Sequence, residues 1–259
     1  LIGVDLLNKQ PKSSQVKITN LRDIGGYQTP AGQLKTGIFF RSGELYDLSK
    51  EAADFLSHDL AIKKIFDFRR PSEIENRPDS KIAQATYENI NLLSTPAQAN
   101  PSLKNMVVNP QMENYMFKVY AELVLSSSAQ EGFHNFLLEA LSLHKPLLFH
   151  CFAGKDRTGL AAALLLKIAG VADDDIFDDY LKTNQARQKT NQEILNHFAD
   201  KLSSQKLKEL EISLSVKAEY LKYAFAQIKE NFGNFDNYLI SGLSLPADYQ
   251  AKFQAAYLE

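Results

Sequence analysis

Phe149-His150-Cys151-Phe152-Ala153-Gly154-Lys155-Asp156-Arg157-Thr158-Gly159 is the stretch on which the fold turns. It holds the chain's one cysteine, and five residues separate that cysteine from Arg157. The apolar run Pro146 to Phe149 leads in, and an apolar, helix-like run from Leu160 to Ala169 leads out. The order is strand, tight loop, helix. Such a loop can turn successive backbone N–H groups inward, and these attract an anion together with the positive end of the helix dipole. A thiol at the start of the loop sits in the same field, which favours the thiolate and can take its pKa from about 8.5 to about 3.5–7.5. Arg157 can grip two phosphate oxygens with its planar fork, which a lysine cannot do. Gly154 lets the backbone turn without a Cβ clash. Phe152, Ala153, Gly154, Lys155 and Thr158 are the phosphate-binding candidates. The Thr158 hydroxyl lies near the sulfur and can stabilise it as a leaving group. His150 either fixes the loop through hydrogen bonds or helps to hold the thiolate. A buried cysteine at a strand end is often only a small hydrophobe, and Cys-x5-Arg alone is a short pattern. The whole string between a strand and a helix is far more specific.

That string resembles the signature loop of the cysteine-dependent protein tyrosine phosphatase superfamily. Its form with Lys155-Asp156 before Arg157 is similar to a bacterial branch that includes secreted mycobacterial and listerial enzymes. Further stretches carry the likeness: Asn20-Leu21-Arg22-Asp23-Ile24-Gly25-Gly26-Tyr27, Phe40-Arg41-Ser42-Gly43-Glu44-Leu45, and Ile65-Phe66-Asp67-Phe68-Arg69 with Glu73 and Pro78-Asp79. Tyr220-Leu221, Phe232-Gly233 and Tyr238-Leu239 fit the branch's closing helices, so the resemblance spans nearly the whole chain. It implies hydrolysis of phosphate monoesters through a phosphocysteine. The substrates it implies are phosphotyrosine and also phosphoserine, phosphothreonine and phosphoinositides. No cofactor or metal is called for.

A cysteine phosphatase needs a general acid for the departing oxygen. Many tyrosine phosphatases take an aspartate from a Trp-Pro-Asp loop, but this chain has no tryptophan. Asp156, beside Arg157, is the candidate, as it is in the branch the chain resembles; alternatively it hydrogen-bonds loop backbone. Asp67 follows a strand expected beside that of Phe149. It can reach and orient Lys155, or pair with Arg69 or Arg70. Arg22, Asp23 and Arg41 either pin the N-terminal loops to the site or form structural ion pairs. Lys155 adds positive charge to the pocket floor, which suits a substrate with more than one anionic group. Phe152 stands where related phosphoinositide phosphatases carry a second lysine, which weakens the case for heavily phosphorylated inositides. Tyr27, Phe117 and Tyr120 can wall an aromatic slot or belong to the core. Sulfur transfer in the manner of rhodaneses is a competing class, but Lys-Asp-Arg-Thr-Gly is foreign to those loops. A non-catalytic phosphate reader would lack the nucleophile or the acid.

The chain has 259 residues, 44% of them hydrophobic, enough for a core, and a formal net charge of −2. A nucleic-acid binder would normally carry a basic surface. One cysteine allows no internal disulfide, so either a cytoplasmic or a secreted setting is open. No apolar run has the 18 or more residues needed to span a membrane, so no stable insertion is expected. The start at Leu1, without signal-peptide features, suggests trimming by recombinant design or by a signal peptidase.

Short strands are expected at Val16–Ile18, Ile38–Phe40, Lys64–Phe68 and Tyr87–Leu92. Ser49 is placed to cap a helix to about His58. A long loop with three prolines covers Ser94 to Pro110. Helices are expected over Tyr115–Leu125, Phe133–Leu143, Leu160–Ala169, Asp174–Leu181, Gln192–Leu202, Ile212–Asn231 and Ala247–Leu258, with Gly170 and Gly233 as stops. Asp173-Asp174-Asp175 reads as a helix N-terminus rather than a metal site. The fold expected is α/β: a central, mostly parallel sheet flanked by helices, tyrosine-phosphatase-like, with a helical C-terminal half. One phosphatase domain covers residues 1–259.

Overall fold

The computed structural model describes residues 17–93 and 112–259. The expected loop from Ser94 to Pro110 and the Val16 end of the expected first strand lie outside these residues. Ile18 itself is in coil.

Seven strands are present among the described residues: β1 (Arg22–Asp23), β2 (Gln28–Thr29), β3 (Gly32–Gln33), β4 (Phe39–Ser42), β5 (Lys64–Asp67), β6 (Thr86–Asn89) and β7 (Leu147–His150). β2 and β3 form a small hairpin. The other five make one sheet in the order β1-β4-β7-β5-β6, parallel except for β1. β4, β7 and β5 are buried throughout, as parallel strands covered on both faces must be. Alternation along them sorts side chains between two cores. Leu147, Phe149, Phe39 and Phe66 enter the larger core, whereas Leu148, Phe40 and Ile65 enter a smaller one. In register, His150 lies level with Ser42 and Asp67, so the ends of three parallel strands meet where the signature loop begins. That crevice is where open α/β sheets bind ligands.

Helix α1 (Lys50–Asp54) starts at Ser49, whose Oγ accepts from Ala52 N at 3.2 Å, and continues as a π turn to Asp59. It covers the smaller core. α2 (Pro71–Asn76) opens on a proline, favourable in the first turn. α3 (Met112–Leu125), α4 (Ser127–Leu143) and α5 (Asp156–Ala169) line the larger core. α5 is apolar all round from Leu160 to Leu166 and buried accordingly. Gly170 ends it at φ +91°, the left-handed cap the sequence predicts.

The C-terminal half differs from expectation in three places, one of them an added helical run over residues 235–242. α6 runs unbroken over Asp173–Phe198 instead of stopping near Leu181. The helix expected over Ile212–Asn231 is two, α7 (Ser204–Leu214) and α8 (Ala218–Phe232). The break is clamped by Asn184 on α6, which donates to Val216 O at 2.9 Å and accepts from Val216 N at 2.8 Å. The last helix, α9, covers Tyr249–Tyr257.

Candidate active site

The loop after β7 is built by pulling its carbonyls outward. Phe68 N donates to His150 O at 2.8 Å and Glu44 N to Phe152 O at 3.1 Å. Arg187 Nη1 donates to Ala153 O at 2.8 Å. Gly154 O accepts from Asn20 Nδ2 at 2.7 Å and from Arg41 Nη2 at 3.0 Å. With these carbonyls satisfied from outside, the loop leaves its amides, beside the N-terminus of α5, as the groups available to an anion. Gly154 makes the turn at φ +65°, and a Cβ there would strike Ser42 O and lie 2.6 Å from Gly43 N. Gly154→Ala is therefore expected to cost about 1–2 kcal/mol for the left-handed backbone alone. By displacing the amides it should lower kcat/KM about 100-fold. Thermal melts and turnover of 4-nitrophenyl phosphate check both.

Cys151 is 2% exposed and sits at the mouth of this loop. Burial pushes its thiol up, but the Arg157 guanidinium and the hydroxyl and N–H of Thr158 outweigh burial, leaving the thiol below its ordinary value. Thr158 Oγ1 is buried without an oxygen or nitrogen partner among the described residues, and its hydroxyl helps to lower the Cys151 thiol.

Arg157 is held end-on by Glu73: Nη1 donates to Oε2 at 2.7 Å and Nη2 to Oε1 at 2.9 Å. Nη1 also donates to Phe68 O at 3.1 Å. A guanidinium has five N–H donors. The Nε side of the fork, with the second Nη2 hydrogen, remains for a ligand.

Asp156 Oδ1 accepts from Tyr120 OH at 3.0 Å, and Tyr120 in turn lies 2.6 Å from Tyr180 OH. The carboxyl is thus oriented by a side chain rather than by loop backbone. Tyr120 is core and Phe117 packs on Tyr220 and Tyr223, while Tyr27 lies under Lys182, so these three do not form an aromatic slot. Rings near the loop come instead from Phe152 and Tyr46, with Arg77 stacked 4.2 Å from the Tyr46 centroid and 6.0 Å from that of Phe152.

Asp67 does not meet Lys155. It takes the alternative partner, Arg69, whose Nη2 donates to Oδ2 at 2.7 Å and whose N donates to Oδ1 at 2.9 Å; Tyr87 OH adds 2.9 Å to Oδ2. Arg69 is two residues on and just past the strand end, so its backbone and side chain reach Asp67 together. Lys155 points the other way. Its Nζ donates to Ser213 O and, at 3.1 Å, to Ser215 O at the C-terminus of α7, and lies 3.5 Å from Asp156 Oδ2. Burial holds this amine below its ordinary value. Its charge is spent on helix-end carbonyls rather than on the pocket floor. His150 is buried, with Nε2 2.8 Å from Asp79 Oδ2 and Nδ1 3.2 Å from Cys151 O. Burial pushes its pKa down, and Asp67 and Asp79 more than reverse this. It therefore anchors the loop. Asp67, Asp79 and His150 approach one another as metal ligands could, but Arg69 already ion-pairs with both carboxylates.

Across residues 14–259 the sequence matches the model of the tyrosine phosphatase family. The chain belongs to that family. It is accordingly a phosphomonoesterase of the cysteine-dependent class. It is 33% identical to an inferred tyrosine-protein phosphatase of Cupriavidus necator, over 88% of this chain and 82% of that one. It is 28% identical to the triple specificity protein phosphatase PtpB of Mycobacterium tuberculosis, over 85% of this chain and 90% of that one. Among solved structures it resembles the core catalytic domain of the PP-IP phosphatase SIW14 from S. cerevisiae. That match has 18% identity and TM-score 0.35, over 77% of this chain and 88% of that one. No helix among the described residues is long and apolar enough to cross a membrane.

Several groups around the phosphatase's loop escape the sequence reading. Asp179 on α6 joins Arg22 at 3.1 Å to Arg41 at 3.0 Å, and Arg41 reaches the loop, so these arginines are at once ion-paired and tied to the site. Asp23 stays local, accepting from the N–H groups of Gly25 and Gly37. Glu73 and Arg187 also come from distant segments. The sequence offers Arg22 and Arg41 as pins for the N-terminal loops, and gives no signal for Asp179 or Arg187.

Proposed function

We propose that the phosphatase hydrolyses phosphate monoesters through a phosphocysteine on Cys151, within one domain. The reading rests chiefly on Cys151 and Arg157 closing one loop that starts where three parallel strand ends meet, with the Arg157 charge helping to lower the thiol. The thiolate attacks phosphorus, an S–P bond forms and the ester P–O bond breaks. Asp156 gives its proton to the departing oxygen. Arg157 and the amides of Phe152, Ala153, Gly154, Lys155 and Thr158's end of the loop bear the equatorial oxygens. Water then attacks phosphorus, Asp156 takes up its proton, and Cys151 leaves as a thiolate eased by Thr158. His150 and Asp67 keep the strand end and loop in register.

Phosphotyrosine is the leading substrate, with phosphoserine, phosphothreonine and phosphoinositides within reach, in keeping with the triple specificity named for the mycobacterial relative. Phe152 beside the nucleophile supports an aryl ester by ring stacking. Asp156→Asn keeps the shape that Tyr120 holds and removes the proton. Turnover of a phosphoserine peptide, whose leaving group is poor, should fall by about 10³-fold, and that of 4-nitrophenyl phosphate by under about tenfold. Equal losses on both would assign the acid role elsewhere.

A further inference from the structure

Four arginines among the described residues are nine-tenths or more buried: Arg41, Arg69, Arg157 and Arg187, the last 6% exposed. Three of them face a carboxylate: Arg41 meets Asp179 at 3.0 Å, Arg69 meets Asp67 at 2.7 Å and Arg157 meets Glu73 at 2.7 Å. Among the described residues Arg187 meets none at ion-pair distance. Its one hydrogen bond to them runs from Nη1 to Ala153 O at 2.8 Å, and its Nε is buried with no partner among them. A guanidinium withdrawn from water and left without a counter-ion is unfavourable, so the missing partner should be an anion.

Its position says which anion. On α6, Asp179, Thr183 and Arg187 follow one another at helical spacing on one buried face, and that face runs along the signature loop. Asp179 holds the Gly154 end through Arg41, and Arg187 holds the Ala153 end directly. The charges that act on Arg187 are Cys151, Asp156 and Glu44, which are groups of the pocket. The neighbouring cations are committed: Lys155 to Ser213 O and Ser215 O, Arg77 to Glu44 at 2.9 Å. The Arg157 fork is reserved for the phosphate under attack.

We propose that Arg187 is a specificity-determining residue that binds a second anionic group, phosphoryl or carboxylate, carried by the phosphoester substrate. This rests on the phosphatase reading above, because the second group is defined by its distance from the phosphate on Cys151. The Nη1 bond to the loop fixes the guanidinium, and the remaining N–H groups then offer an anion a rigid fork.

The test compares two competitive inhibitors of 4-nitrophenyl phosphate turnover, orthophosphate and tripolyphosphate, by the ratio of their Ki values within each protein. In the wild type, tripolyphosphate should bind tighter than orthophosphate by about tenfold or more, as a charge-assisted hydrogen bond allows. In Arg187→Gln the ratio should shrink by about tenfold. If Arg187 merely braces the loop, both Ki values rise together and the ratio stays put, which overturns the proposal. A wild-type ratio near one overturns it too, whether or not the glutamine variant folds. A wild type that does not turn over 4-nitrophenyl phosphate at all sinks the phosphatase reading itself, and the proposal with it.

Discussion

Cys151→Ser should abolish turnover of 4-nitrophenyl phosphate, with kcat falling by about 10⁴-fold or more, the scale expected when a catalytic nucleophile is removed. The loss should lie almost wholly in the chemical step. The serine hydroxyl is smaller than the thiol and meets the same polar neighbours, Arg157 and Thr158, so it fits where the thiol is. The cradle of amides and the Arg157 fork do not depend on the sulfur, so orthovanadate and phosphate should still bind the variant. What serine lacks is the anion. In the wild type, Arg157 and Thr158 outweigh burial and hold the thiol below its ordinary value. The thiolate therefore persists at pH values where a free cysteine is already protonated, and the acid limb of kcat/KM is lost only below the lowered pKa. Alkylation by iodoacetamide, followed against pH, should titrate below an ordinary cysteine and be suppressed by phosphate. A Cys151→Ser protein with retained turnover would remove the sulfur from the mechanism. Alkylation that titrates at or above the ordinary value would remove the field around it.

The sequence revealed the parts of this site that are local, and missed those that are assembled. Strand β7, the loop and α5 form one continuous stretch, and each carries its own signal: four apolar residues, a glycine and arginine at fixed offsets, then a helix apolar on every side. The parallel sheet also followed from short buried runs. Element boundaries failed where the deciding contacts are polar and distant. From Lys182 to Gln192, α6 has almost no apolar period, so the sequence reads as a gap. The helix persists because Thr183, Asn184, Arg187 and Asn191 are engaged by residues elsewhere in the chain. The break after Leu214 is set by Asn184, some thirty positions earlier, and no local residue announces it. Lys155 illustrates the same limit. Strand adjacency suggested Asp67 as its partner, but Asp67 lies between Arg69 and Tyr87, and the carbonyls that hold Lys155 exist only because α7 ends there. Charge pairing between segments far apart in sequence has no period to read.

Arg157→Lys should be nearly as damaging as loss of the sulfur, with kcat down by about 10³-fold, the scale typical of arginines that stabilise phosphoryl-transfer charge. The positive charge is kept, so any surviving deficit measures geometry. Both Nη atoms of Arg157 are fastened by Glu73, and Nη1 also bonds Phe68 O, which leaves one edge of the plane for the phosphate. A lysine ammonium has three donors on one atom. It can satisfy Glu73 or the phosphate, but cannot bridge them in one plane, and Glu73 is the closer anion. The residue is 1% exposed, so no water is at hand to complete a shell around a misplaced ammonium. The variant should therefore lose affinity for orthovanadate, whose trigonal-bipyramidal adduct uses the fork fully, by more than it loses affinity for tetrahedral phosphate. Its Cys151 thiol should shift upward by less than in Arg157→Ala, because the charge remains nearby. Equal losses for vanadate and phosphate would mean that Arg157 acts as a point charge, and the directional role of the Glu73 clamp would fall.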